Sequence, residues 1–150
     1  MFEKERMMPV GNVCVRDVVT VSPGMTVEAA ARRIAEHSVS TLVVVENNRP
    51  VGIVTDRDLV VRVLAKGVAP STEVRAVMSP NPVCITEDES LEAAMSRMGA
   101  YQLRHLVVIN AAHEVVGIFA LDDLLVLFRE VRNAVGAMAT LMHDAHHRQR

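Results

Sequence analysis

The stretch Val51-Gly52-Ile53-Val54-Thr55-Asp56-Arg57-Asp58 is answered later in the chain by Val116-Gly117-Ile118-Phe119-Ala120-Leu121-Asp122-Asp123. Each opens with β-favouring aliphatic residues and closes with helix-start acids, which predicts a strand running directly into a helix. Working backwards, Leu42-Val43-Val44-Val45 matches Leu106-Val107-Val108-Ile109, and Thr26-Val27-Glu28-Ala29-Ala30 matches Ser90-Leu91-Glu92-Ala93-Ala94, all 64 positions apart (42 to 106, 26 to 90). The glycine motif is 65 apart (52 to 117), so the second turn holds one extra residue. Three blocks in one order and nearly one register define an internal repeat.

Within each copy the hydrophobic period changes in a fixed order. Residues 18–21 and 83–85 read as short strands. Thr26 and Ser90 are N-cap residue types, and Val27, Ala30, Ala31, Ile34 recur at helical steps, as do Leu91, Ala94, Met95, Met98. An aliphatic run too short for a helix, a turn at 46–50 or 110–114, and the glycine motif then give two adjacent strands and another helix. The chain is thus α+β, with a β-α-β-β-α unit present twice. Gly67 and Pro70 mark the stretch between the copies as a linker. The expected divisions are an N-terminal arm 1–12, a first repeat 13–65, a linker 66–74, a second repeat 75–128 and a C-terminal helical extension 129–150.

Half of the 150 residues are apolar, enough for one core or for two half-domains sharing one. With no Trp, one Tyr and three Phe, that core is aliphatic and few side chains can stack on bases. Sixteen basic against eighteen acidic residues, a net charge of −2, supply no grip on a polyanion, so no nucleic acid partner is expected. Cys14 and Cys84 form neither a metal-ligand pattern nor a disulfide framework, which suits a reducing cytoplasm. Nothing approaches the roughly 18 apolar residues of a membrane span, and residues 1–9, MFEKERMMP, hold no apolar run of the kind an export leader has, so an unexported protein with no membrane partner is expected.

The order strand, helix, paired strands, helix, with Gly52-Ile53-Val54-Thr55-Asp56-Arg57-Asp58 at the last junction, resembles the CBS domain family over about residues 13–128. The likeness is to a stand-alone, bacterial-type tandem pair, a Bateman module. That resemblance implies two repeats packed sheet against sheet around a pseudo-twofold axis, with an extended C-terminal helix here. It also implies two equivalent clefts that take adenosine-containing ligands.

Thr55 and Asp58 fall where strand gives way to helix, and free N–H groups there favour an anion. A Thr55 hydroxyl can donate to a phosphate, and an ionised Asp58 can accept both hydroxyls of a ribose. The same pair also reads as a capping box that satisfies helix N–H groups and does nothing more. Arg57 is a secondary phosphate candidate or a solvated helix-start arginine. The family resemblance adds the residues opening the second strand, Val39, Ser40 and Thr41, and their counterparts Leu103, Arg104 and His105. Of these, Arg104 and His105 are phosphate contacts or else a surface arginine and a half-buried histidine. The second motif keeps Gly117 and Asp123 but has Ala120 where Thr55 stands. Two unequal sites follow, the one on Thr55 and Asp58 being the tighter.

Beyond this motif Leu121, Leu124, Phe128, Val131, Val135, Met138 and Met142 form a heptad seam on a helix of about 30 Å from Asp122 to about Met142. Either a second copy covers it, making a homodimer, or it folds back on its own domain. His143, His146 and His147 read as a solvated end or a metal site. No hydrolase, P-loop, zincin or dinucleotide motif appears, so no catalysis is expected. The expected function is sensing AMP, ADP, ATP, NAD(H) or S-adenosylmethionine, with no obligatory cofactor, and signalling to an effector protein. The alternative is a ligand-free dimerisation scaffold.

Overall fold

The computed structural model describes residues 8–147, and side chains through residue 143. The arm expected over 1–12 therefore lies mostly outside the described residues. Two compact units divide the chain, one ending at Phe119 and the other beginning at Ala120.

After a 3-10 turn at Val10–Asn12, the first unit continues with β1 (Thr20–Val21), α1 (Val27–His37), β2 (Thr41–Glu46) and β3 (Arg49–Thr55). One short turn, α2 (Asp56–Asp58), then runs into a π-helical segment, Leu59–Leu64. The second half follows with β4 (Ser79–Pro80), β5 (Cys84–Thr86), α3 (Leu91–Tyr101), β6 (His105–Ile109) and β7 (Val115–Ala120). Strands β1-β2-β3-β4 make one sheet and β5-β6-β7 another. In each, the first strand runs parallel to its neighbour, β1 to β2 and β5 to β6.

Local chemistry explains the elements. Thr26 and Ser90 cap α1 and α3 by accepting from the N–H of Ala29 (3.2 Å) and Ala93 (3.1 Å). Ser38 and Gln102, again 64 apart, end both helices in the left-handed region. Asn47 and Asn48, both at positive φ, close the β2–β3 hairpin in the two-residue form that suits strand twist. The second hairpin is longer, and there Asn110 Oδ1 accepts from the N–H of Ala112 and Glu114, both at 3.0 Å.

The aliphatic runs do not alternate with polar residues because both faces of the middle strands are buried. Leu42 and Val44 pack with Val21, Ala30, Val54 and Val74, while Val43 faces the other way onto Val107 and Ile109. Each such side chain contributes about 1.5 to 3 kcal/mol by burial. Of the helical positions read from the periodicity, Val27, Ala30, Ala94 and Met98 are buried, whereas Ala31 and Met95 turn outward. Two arginines 64 apart tie helix to strand in the same manner. Arg33 donates to the Thr20 carbonyl and Arg97 to that of Cys84, both at 2.9 Å.

Strand β4, which the sequence reading does not contain, shows that the halves exchange their opening segments. The Val74 and Arg75 N–H groups donate to the carbonyls of Met25 (2.8 Å) and Pro23 (3.0 Å), and β4 pairs antiparallel with Gly52 and Ile53 of β3. Reciprocally, the Val10 and Gly11 N–H groups donate to Glu89 (2.8 Å) and Glu87 (2.9 Å), and Val15 bridges Ile118. A Cβ on Gly52 would collide with Met78 Sδ, and one on Gly117 would lie 2.6 Å from Cys14 Sγ. Met78 and Cys14 are themselves 64 apart. Glycine suits both motifs because a crossing segment lies directly on the strand, and any Cβ there would force that segment's side chain to shift.

The second unit is α4 (Leu121–His147), 27 residues long and so longer than the helix expected from the seam. Its side chains at Phe128, Val131, Val135, Met138 and Met142 are all more than half exposed. Among the described residues no helix is long and apolar enough to cross a membrane.

Candidate functional site

The junction of β3 and α2 is a complete capping box. Thr55 Oγ1 accepts from the Asp58 N–H at 3.1 Å, and Asp58 Oδ2 accepts from the Thr55 N–H at 2.9 Å. This arrangement leaves two functional groups at the helix mouth: the Thr55 hydroxyl proton and the second carboxylate oxygen, Asp58 Oδ1. Arg62 Nη2 stands 3.6 Å from that oxygen. The Asp58 side chain is 16% exposed.

The residues opening β2 are drawn to this junction by the backbone. The Asp56 N–H donates to the Ser40 carbonyl at 2.9 Å, and Thr41 is the register partner of Thr55. Val39 is half-buried against the core beneath α1, and Ser40 is exposed, its hydroxyl 3.4 Å from that of Thr41. Thr41 Oγ1 and His105 Nε2 share a hydrogen bond at 3.2 Å. Those two residues are equivalents in the repeat, 64 positions apart, so the contact joins like to like across the two halves. Of the sequence-derived candidates the structure thus brings together Val39, Ser40, Thr41, Thr55, Asp58 and His105.

The remaining candidates stand apart. Arg57 and Arg104 are exposed, and among the described residues neither guanidinium has a hydrogen bond or ion pair. Asp123 lies in the first turn of α4, beside Asp122, in the second unit. Of the terminal histidines, the side chains of His146 and His147 lie outside the described residues. Among the described residues no cluster of His, Cys, Asp or Glu could hold a metal.

Two open clefts lie elsewhere, neither lined by any of these residues. One, of about 570 Å³, is bordered by Arg49, Cys84, Glu89, Arg97 and His113. Hydrogen bonding from Arg97, reinforced by the Thr86 backbone and hydroxyl, holds the Glu89 carboxyl below the usual carboxylate range against the opposing effect of burial. Burial pushes the Cys84 thiol up, with Arg97 opposing it. The other cleft, about 500 Å³, is an apolar groove between α1 and the π-helical segment, bordered by Val27, Ala31, Val60, Val63 and Leu64. Arg62 is a polar group at the junction that sequence reasoning missed. Its spacing of four residues from Asp58 was the available signal.

Comparison with known proteins identifies the family. The family model for the CBS domain matches residues 10–65 and again 74–130. A CBS domain-containing protein of Bacillus subtilis is 35% identical over 141 residues, covering 94% of this chain and 100% of that one. An uncharacterized protein of Methanopyrus kandleri is 34% identical over 122 residues, 80% of this chain, and the match spans only 62% of its length. Among solved structures, a CBS domain protein of Pyrobaculum aerophilum complexed with AMP superposes with a TM-score of 0.71 at 23% identity, over 78% of this chain and 90% of that one. Two family matches in the two halves, joined by the exchange of their opening segments, establish that this chain belongs to the CBS domain family as a tandem pair of its repeats.

Proposed function

We propose that this chain is a regulatory module that binds an adenosine-type nucleotide between its repeats, catalyses nothing, and passes its occupancy to an effector protein in the cytoplasm. The observation that carries the reading is the Thr41–His105 hydrogen bond, 3.2 Å long, between equivalent residues beside the Thr55–Asp58 helix mouth. It gathers the polar groups opening β2 and β6 next to a helix start that offers the Thr55 hydroxyl proton and a carboxylate oxygen, Asp58 Oδ1, held only by a loose ion pair to Arg62. In this reading Asp58 Oδ1 accepts from a ribose hydroxyl, Thr55 and the exposed Arg57 donate to phosphate, and Val39, Ser40 and Thr41 border the base. Arg104 and His105 are the counterpart donors of the second repeat, whose motif has Ala120 where the first has Thr55 and so lacks the hydroxyl. The match to a CBS domain protein solved with AMP supports the ligand class.

A panel of AMP, ADP, ATP, NAD(H) and S-adenosylmethionine in thermal unfolding tests the proposal. A true ligand at a hundred times its Kd stabilises by about 2.7 kcal/mol through mass action. Thr55→Ala and Asp58→Ala should each abolish the shift, and a panel in which no compound moves the midpoint would refute the reading. Calorimetry should resolve unequal sites, the weaker one short of a charge-assisted hydrogen bond of about 1.5 to 3 kcal/mol.

The exposed apolar face of α4 favours a second role alongside the first. We read it as a homodimer contact, since an unbroken heptad seam needs a partner. Self-association with no response to any nucleotide would leave the scaffold reading in sole possession.

A further inference from the structure

Arg62 sits one turn past Asp58 in the π-helical segment, and its guanidinium spans two parts of the fold. Nη1 donates to the Val77 carbonyl at 2.8 Å and approaches Ser79 Oγ at 3.2 Å, while Nη2 faces Asp58 Oδ1 at 3.6 Å. Val77 and Ser79 belong to the segment that the second repeat lends to the first sheet, which continues as β4 and then crosses to β5. A planar guanidinium with a fixed fork of donors is suited to hold backbone and carboxylate together in this way. The equivalent position in the second repeat is Leu127, from 62 + 65, so only the first motif carries the strap.

We propose that Arg62 is the positioning residue through which the first site communicates with the second repeat. Asp58 Oδ2 is engaged by the Thr55 N–H, so Oδ1 is the oxygen a ribose would take, and it is the oxygen that Arg62 faces. A hydroxyl donating there competes with the loose ion pair, and the guanidinium settles on its partners in the crossing segment. Occupying the Thr55–Asp58 site therefore tightens β4, whose chain leads straight into the second sheet. This inference rests on the nucleotide reading for its trigger, but the strap itself stands without it.

Amide hydrogen exchange at Met78, Ser79 and Asn81 of the full chain, with and without saturating AMP, tests both parts. Without ligand, Arg62→Met should speed exchange at these amides about two- to fivefold, the scale of one partly exposed ion pair and its bonds, and leave β6 unchanged. Unchanged exchange there overturns the strap. With AMP, exchange at the same amides should slow by a similar factor in the native chain. That slowing should vanish in Arg62→Met, measured at an AMP concentration that saturates the variant, and return in part in Arg62→Lys, which keeps the charge. Equal slowing in the native chain and in Arg62→Met overturns the coupling while sparing the nucleotide reading. Failure of AMP to bind the native chain at all refutes that reading with AMP as the ligand, and the coupling with it.

Discussion

At Gly52 a missing side chain does structural work that hydropathy cannot reveal. Gly52→Ala would push its methyl into Met78 Sδ, with the Ser79 carbonyl 3.1 Å away behind it. Because the Met78 side chain can bend but the strand cannot, the expected cost is about 1 to 3 kcal/mol in urea unfolding. Adding Met78→Ala should return part of that loss, and a second substitution that made matters worse would contradict the packing account. Glu89 offers a different single-residue test. Its folded-state pKa lies below the unfolded value, chiefly because Arg97 donates to it. Its stabilising contribution is therefore full above the unfolded value and is lost as pH falls through the folded one. The stability gap between the native chain and Arg97→Met should narrow from neutral pH down through the acid side of the carboxylate range. A gap independent of pH would exclude this ion pair as its source.

Among the elements, α1 and α3 differ little from what capping and period dictate, and α4 is the one whose exposed face calls for a partner. Its five seam residues from Phe128 to Met142 follow steps of three and four on one side of the helix, and Gly136 meets nothing within 4 Å where its Cβ would be. Charging the middle of that seam with Val135→Asp should abolish self-association, since an unpaired carboxylate cannot be buried between helices. Sedimentation of the native chain and the variant over a concentration series would report it. A native chain that stays monomeric throughout would dispose of the homodimer.

For the whole molecule, the reciprocal exchange of segments ties the two repeats to each other and should make them unfold together. Val74, with no exposed surface, completes the core beneath α1, and Val10, equally buried, is anchored to Glu89 in the other half. A fragment carrying residues 8–69 alone would leave the β3 edge and the Gly52 surface bare. It should lack a cooperative unfolding transition, and mixing it with a fragment of residues 70–150 should restore one, as followed by circular dichroism. Cooperative unfolding of the first fragment by itself would show the exchange to be dispensable.

The repeat, the strand-helix order, both N-caps, the hairpin positions and the Thr55–Asp58 box were readable from the chain because each depends on groups within a few residues of one another. Helical period and capping are local physics, and reciprocal bonds between residues three apart leave a mark in the sequence. Contacts such as Gly52 with Met78 or Arg62 with Val77 join residues far apart in sequence, and a two-residue strand such as β4 has no period to detect. The outward turn of Ala31 and Met95 was likewise fixed by which face the sheet covers. The equivalence of Thr41 and His105 could be read as a shift of 64, but only the packing of one half on the other made them neighbours.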